Sequence, residues 1–113
     1  MAEAGGDCGV EPHIGRYENC LALLPTATIT DVQDQAPRVA VLPVGSFEQQ
    51  DAYLPLITDT AIAAIIAREV DARYPVLVLP PITVSCGHEH GTWPGSVSIS
   101  VRTLNAVVDD IRL

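Results

Sequence analysis

Glu48, Gln50, Asp51 and Asp59 fall within one short stretch of a chain whose residues are 48% apolar. Carboxylates at close spacing can pass protons or hold divalent cations. Their place in the chain gives that chemistry a setting. Directly before them runs Val39-Ala40-Val41-Leu42-Pro43-Val44, an apolar run that reads as a buried strand broken by Gly45 and Ser46. The carboxyl end of a core strand is where open α/β sheets place their reactive groups. The same spacing admits a structural reading, with Asp59 as a helix cap and Glu48 as a solvated loop acid. A second cluster is His88-Glu89-His90. Alternate residues of an extended segment share a face, which puts His88 and His90 on one side, although histidine pairs are more often surface or core residues than ligands. Cys86 precedes them. A nucleophilic thiol needs a base and an electropositive setting, for which His88 or His90 are the nearby candidates.

The first stretch resembles the signature of the creatininase family of amidohydrolases, usually worded PVGSxEQHGxHLPLxTD. Here it stands as Pro43-Val44-Gly45-Ser46-Phe47-Glu48-Gln49-Gln50-Asp51-Ala52-Tyr53-Leu54-Pro55-Leu56-Ile57-Thr58-Asp59. A second stretch, Glu89-His90-Gly91-Thr92-Trp93-Pro94-Gly95-Ser96-Val97-Ser98-Ile99, is similar to the family wording EHxxFPGTxSL. The resemblance runs from about Leu24 to Leu113. It implies an α/β fold, a partial three-layer creatininase-like arrangement with a mostly parallel sheet flanked by helices. It also implies a divalent metal pair, zinc or manganese, that activates water against a C–N bond. By position, Glu48 matches a ligand to one metal, Asp59 the bridging carboxylate, and Gln50 the histidine that ligates the other metal. Glu89 and His90 match the wall of the substrate pocket and carry the catalytic expectation.

This sequence departs from the signature at three places. Gln50 and Tyr53 stand where the family has histidines, and Asp51 stands where it has glycine. An amide oxygen is a weak zinc ligand and suits a harder ion such as manganese or magnesium. The family's remaining ligands, a histidine and a glutamate near an Asn-Gly-His segment, would lie beyond Leu113. The sequence therefore predicts weak or no metal binding by this chain alone, and a fragment or shortened member of the family. The function implied is metal-dependent hydrolysis of the C–N bond of a small, cyclic or peptide-like amide by a truncated or degenerate member. The alternative is a non-catalytic remnant that binds a partner or metabolite.

Composition bounds these readings. A chain of 113 residues has room for one modest core. The net charge of -8 excludes a nucleic-acid face, which must be basic. No apolar run reaches membrane-spanning length and no signal peptide opens the chain. Three scattered cysteines, Cys8, Cys20 and Cys86, form no disulfide framework and point to the cytoplasm. The partners expected are a small-molecule amide substrate and further copies of the chain in a homo-oligomer, with no nucleic acid and no membrane.

The elements that must position the site follow from pattern. Residues 1–22 are expected to be a mobile N-terminal extension, and residues 23–113 the α/β domain. A short helix should start near Thr30 and end before Pro37. After the strand Val39–Val44, Thr58 and Asp59 are expected to cap a helix from Thr60 to about Arg73. The apolar members of the stripe Ile62, Ile65, Ile66, Glu69, Val70 and Arg73 should pack on the sheet. Val76-Leu77-Val78-Leu79 completes a right-handed βαβ unit. Residues 82–95 form a long loop, and Val97, Ile99 and Val101 alternate with serines as a half-exposed strand. Thr103 should cap a last helix with Leu104, Val107, Val108 and Ile111 on one face.

Overall fold

The computed structural model describes residues 24–87 and 93–112. Five elements follow one another: α1 (Ile29–Gln35), β1 (Val39–Val41), α2 (Thr58–Asp71), β2 (Val76–Val78) and α3 (Val101–Asp110). β1 and β2 pair in parallel, with Val39 opposite Val76 and Val41 opposite Val78. α2 is the crossover between them and packs on β2. This is a βαβ unit, and the fold is α/β. The expected N-terminal extension lies outside the described residues, as do His88, Glu89 and His90.

Pairing continues past β1 in a looser form. Leu79 N–H donates to Val41 O, Ile82 N–H to Pro43 O and Gly45 N–H to Ile82 O, at 2.8–2.9 Å. Pro43 has no N–H to give, so the ladder is interrupted there rather than running to Val44 as the apolar pattern suggests. The extension still carries Gly45 and Ser46 out to the edge where the acids lie.

The helix starts differ from the sequence reading in each case. α1 is capped by Thr28, not Thr30: its hydroxyl accepts from Asp31 N–H, and the Asp31 carboxylate accepts from Thr28 N–H at 2.8 Å. Hydrogen bonding from the Thr28 backbone N–H first, and from the Thr28 side chain second, holds the Asp31 carboxyl below its ordinary value. α3 begins at Val101 under Ser100, whose hydroxyl accepts from Thr103 N–H. Thr103 is thus inside the first turn. α2 begins two residues earlier than expected. Its N-cap is Ile57, with no side-chain cap, because Thr58 donates its hydroxyl to Pro55 O and Asp59 turns towards the preceding loop.

The stripe on α2 is the largest correction. Ile62, Ile65 and Ile66 are 50–58% exposed, while Thr60, Ala64 and Ala67 are buried. Small residues at this helical spacing let the helix backbone approach the strands closely, and the isoleucines project away. α3 likewise buries none of its residues against the described chain.

The alternating segment at 96–99 is no regular strand. It makes one antiparallel bridge, Phe47 to Val97, and its serines face inward rather than to solvent. Ser96 Oγ accepts from Gln49 N–H at 3.1 Å, and Ser98 Oγ accepts from Gly87 N–H at 2.9 Å. Backbone amides in two loops need acceptors, and serine hydroxyls supply them. The apolar Val97 and Val101 are left about half exposed. No helix among the described residues is long and apolar enough to cross a membrane.

Candidate active site

Glu48 and Asp59 meet through one hydroxyl. Ser46 Oγ lies 2.9 Å from Glu48 Oε1 and 2.7 Å from Asp59 Oδ2. Three local features bring this about. The β1 extension ends at Gly45, which lies so close to Thr60 that a Cβ there would come within 2.5 Å of the Thr60 backbone nitrogen. That contact pins the strand end to the first turn of α2. Asp59 occupies this turn, where the amide dipoles favour a negative charge. Ser85 then donates its hydroxyl to Gly45 O at 2.6 Å, tying the loop after β2 to the same point.

Ser46 and Glu48 are both buried, and Asp59 is half-buried. A hydroxyl has one proton, so Ser46 satisfies one acid at a time and its oxygen faces the other. Gln50 supplies a second donor, with Nε2 3.1 Å from Asp59 Oδ1. Both Asp59 oxygens are therefore in contact with donors from its own chain. Glu48 is less well served. Its Oε2 is buried and has no partner among the described residues. It faces Gly87, where a Cβ would stand 2.5 Å from it. Any side chain at position 87 would push the carboxylate aside.

A cleft of about 370 Å³ opens beside the pair, lined by Glu48, Gln49, Gln50, Asp51, Leu54 and Asp59. Among the described residues no Lys, Arg or His lines it. Asp51, at the position where the family signature has glycine, adopts φ 62°. That left-handed conformation favours glycine and is tolerated by aspartate better than by most residues. Tyr53, in place of the second family histidine, is 94% exposed and does not line the cleft. A separate hollow of about 460 Å³, bordered by Asp31, Asp34, Arg68 and Asp71, is lined by neither acid of the pair.

The structure thus brings together Glu48, Gln50 and Asp59. It shows that Asp59 is not a helix cap and Glu48 not a solvated loop acid. Ser46, Ser85 and Gly87 belong with them, and the sequence reading assigned these three no site role. Their signal was present, since small residues at a strand end and in the facing loop permit close approach. Cys86 is a free, half-buried thiol.

Residues 24–112 match the creatininase family, described as creatinine amidohydrolase. The chain belongs to the creatininase family. Among its relatives in that family is the mycofactocin precursor peptide peptidase of Mycolicibacterium smegmatis, 37% identical over 91 residues, which cover 75% of this chain and 36% of that protein. The protein of the same description from Mycobacterium tuberculosis is 35% identical over 95 residues, 75% of this chain and 38% of that protein. The fold is similar to that of a W154A mutant creatininase, with a TM-score of 0.67 at 23% identity, over 74% of this chain and 36% of that one. The chain spans little more than a third of the length of these relatives. Creatininases are generally metal-dependent. Among the described residues, no three of His, Cys, Asp and Glu come together as a metal-holding group. Two carboxylates and an amide already donating to one of them do not fit a zinc or manganese pair.

Proposed function

We propose that this chain contributes the carboxylate part of a creatininase-type hydrolase that cleaves the C–N bond of a peptide or small cyclic amide. The observation that carries this is the shared Ser46 hydroxyl, which holds two signature acids at the mouth of a cleft. The relatives named as precursor peptide peptidases favour a peptide-like substrate. The residues of this chain give such a reaction a proton acceptor beside the cleft. Asp59 takes the proton of an attacking water at a carboxylate oxygen and returns it to the leaving nitrogen as the C–N bond breaks. Ser46 and Gln50 fix the orientation of that carboxylate. The metal dependence general in the family belongs to the same proposal for the assembled enzyme. No step through a metal follows from the donors described, and Glu89 and His90 keep their proposed place in the pocket wall. A cytoplasmic location and self-association, for which the exposed isoleucines of α2 offer a surface, complete the reading.

A second reading, a binding domain without turnover, is favoured by the Asp59 oxygens being occupied by protein donors. The two separate in one assay. Release of amine from creatinine and from short peptides is followed with manganese, with zinc and with chelator. Turnover lost on Asp59→Asn supports the hydrolase; saturable substrate binding without turnover supports the binding domain.

A further inference from the structure

We propose that Gln50 closes the carboxylate pair to divalent cations, its side-chain amide standing in for the positive charge that a metal would bring to Asp59. This rests on the reading of Glu48 and Asp59 as inherited metal positions. The amide is held at Asp59 by its chemistry. With Nε2 3.1 Å from Asp59 Oδ1 it donates a hydrogen bond to an ionisable acceptor. With the amide turned over, Oε1 would face Oδ1 acceptor to acceptor, which only a cation between them would relieve. The second Asp59 oxygen lies 2.7 Å from the Ser46 hydroxyl, whose proton it shares with Glu48. A cation that takes Asp59 Oδ1 along the direction the amide uses must displace the Gln50 bond, and it gains in return only an amide oxygen, a weaker ligand than the imidazole of the family signature. Gln50 is half-buried, so the bond is partly shielded from water. The departure at position 50 is then a closed site rather than merely a missing ligand.

These alternatives make opposite demands on a truncation. If Gln50 plugs the site, removing the amide frees Asp59 and raises cation affinity. If Gln50 is a weak ligand, removing it lowers affinity. Manganese and zinc are titrated calorimetrically into the chain and into Gln50→Leu, Gln50→Ala and Gln50→His, with manganese electron paramagnetic resonance as a second readout and melting curves to show that each is folded. The expected result is that Leu or Ala raises manganese affinity about tenfold, the factor that a charge-assisted hydrogen bond of about 1.4 kcal/mol corresponds to. His is expected to raise zinc affinity further. Equal or weaker manganese binding by both truncations overturns the plug while leaving the metal positions standing, provided Gln50→His binds zinc. No binding by any of the four overturns the plug and the inherited metal positions together.

Discussion

Ser46→Ala is expected to lower the stability of the chain by about 2–3 kcal/mol, far more than a serine-to-alanine change in a loop ordinarily costs. The cost arises at Glu48. This side chain is only 8% exposed, and its Oε2 already lacks a partner among the described residues. The Ser46 hydroxyl, whose one proton is shared between Glu48 and Asp59, is the donor among the described residues that reaches Oε1, at 2.9 Å. Alanine leaves both oxygens of a buried carboxyl without a donor among the described residues, and the desolvation of that group then loses its compensation from Ser46. Asp59 suffers less, because it keeps Gln50 and more contact with water. Urea denaturation should show a lower midpoint with little change in slope. A loss under about 0.5 kcal/mol would mean that Ser46 does not hold the buried acid.

Gly45→Ala should be at least as damaging, by about 3 kcal/mol, and for a steric reason. The added methyl would lie 2.5 Å from both the Thr60 Cα and its backbone nitrogen, and against the Thr60 hydroxyl. Backbone atoms cannot rotate out of the way, so the strand end and α2 must separate, a cost at the upper end of that measured for overpacked cores. Separation would also pull Ser46 from Asp59, since each neighbours one member of the Gly45–Thr60 contact. A broad thermal transition at lower temperature is the expected result. A variant that melts with the parent would show that the close approach is not needed.

The strand, crossover helix and second strand were legible because apolar runs and proline or glycine breaks mark them directly. The placement of Glu48 and Asp59 on one edge followed from the same pattern. What the pattern could not show was which face of α2 packs. Hydropathy favours the isoleucines, but packing distance is set by the smallest side chains, and Thr60, Ala64 and Ala67 win. The cap assignments failed for a related reason. Thr28, Thr30, Ser100 and Thr103 are all competent caps by type, and the choice depends on where the helix axis points. Gln50 read as a weak metal ligand through its amide oxygen, since donation to a carboxylate 9 residues away is visible only in three dimensions. The serines at 96 and 98 read as a solvent face, because the loop amides that need them come from segments distant in sequence.

The claim that two acids share one hydroxyl at the sheet edge is tested most directly by a double-mutant cycle. Stability is measured by urea denaturation for the parent, Glu48→Gln, Asp59→Asn and the double variant. Groups joined through Ser46 should be coupled by about 0.5–3 kcal/mol, because each substitution changes which acceptor the single hydroxyl proton serves. Additivity within about 0.3 kcal/mol would contradict it, and would mean that Glu48 and Asp59 act independently.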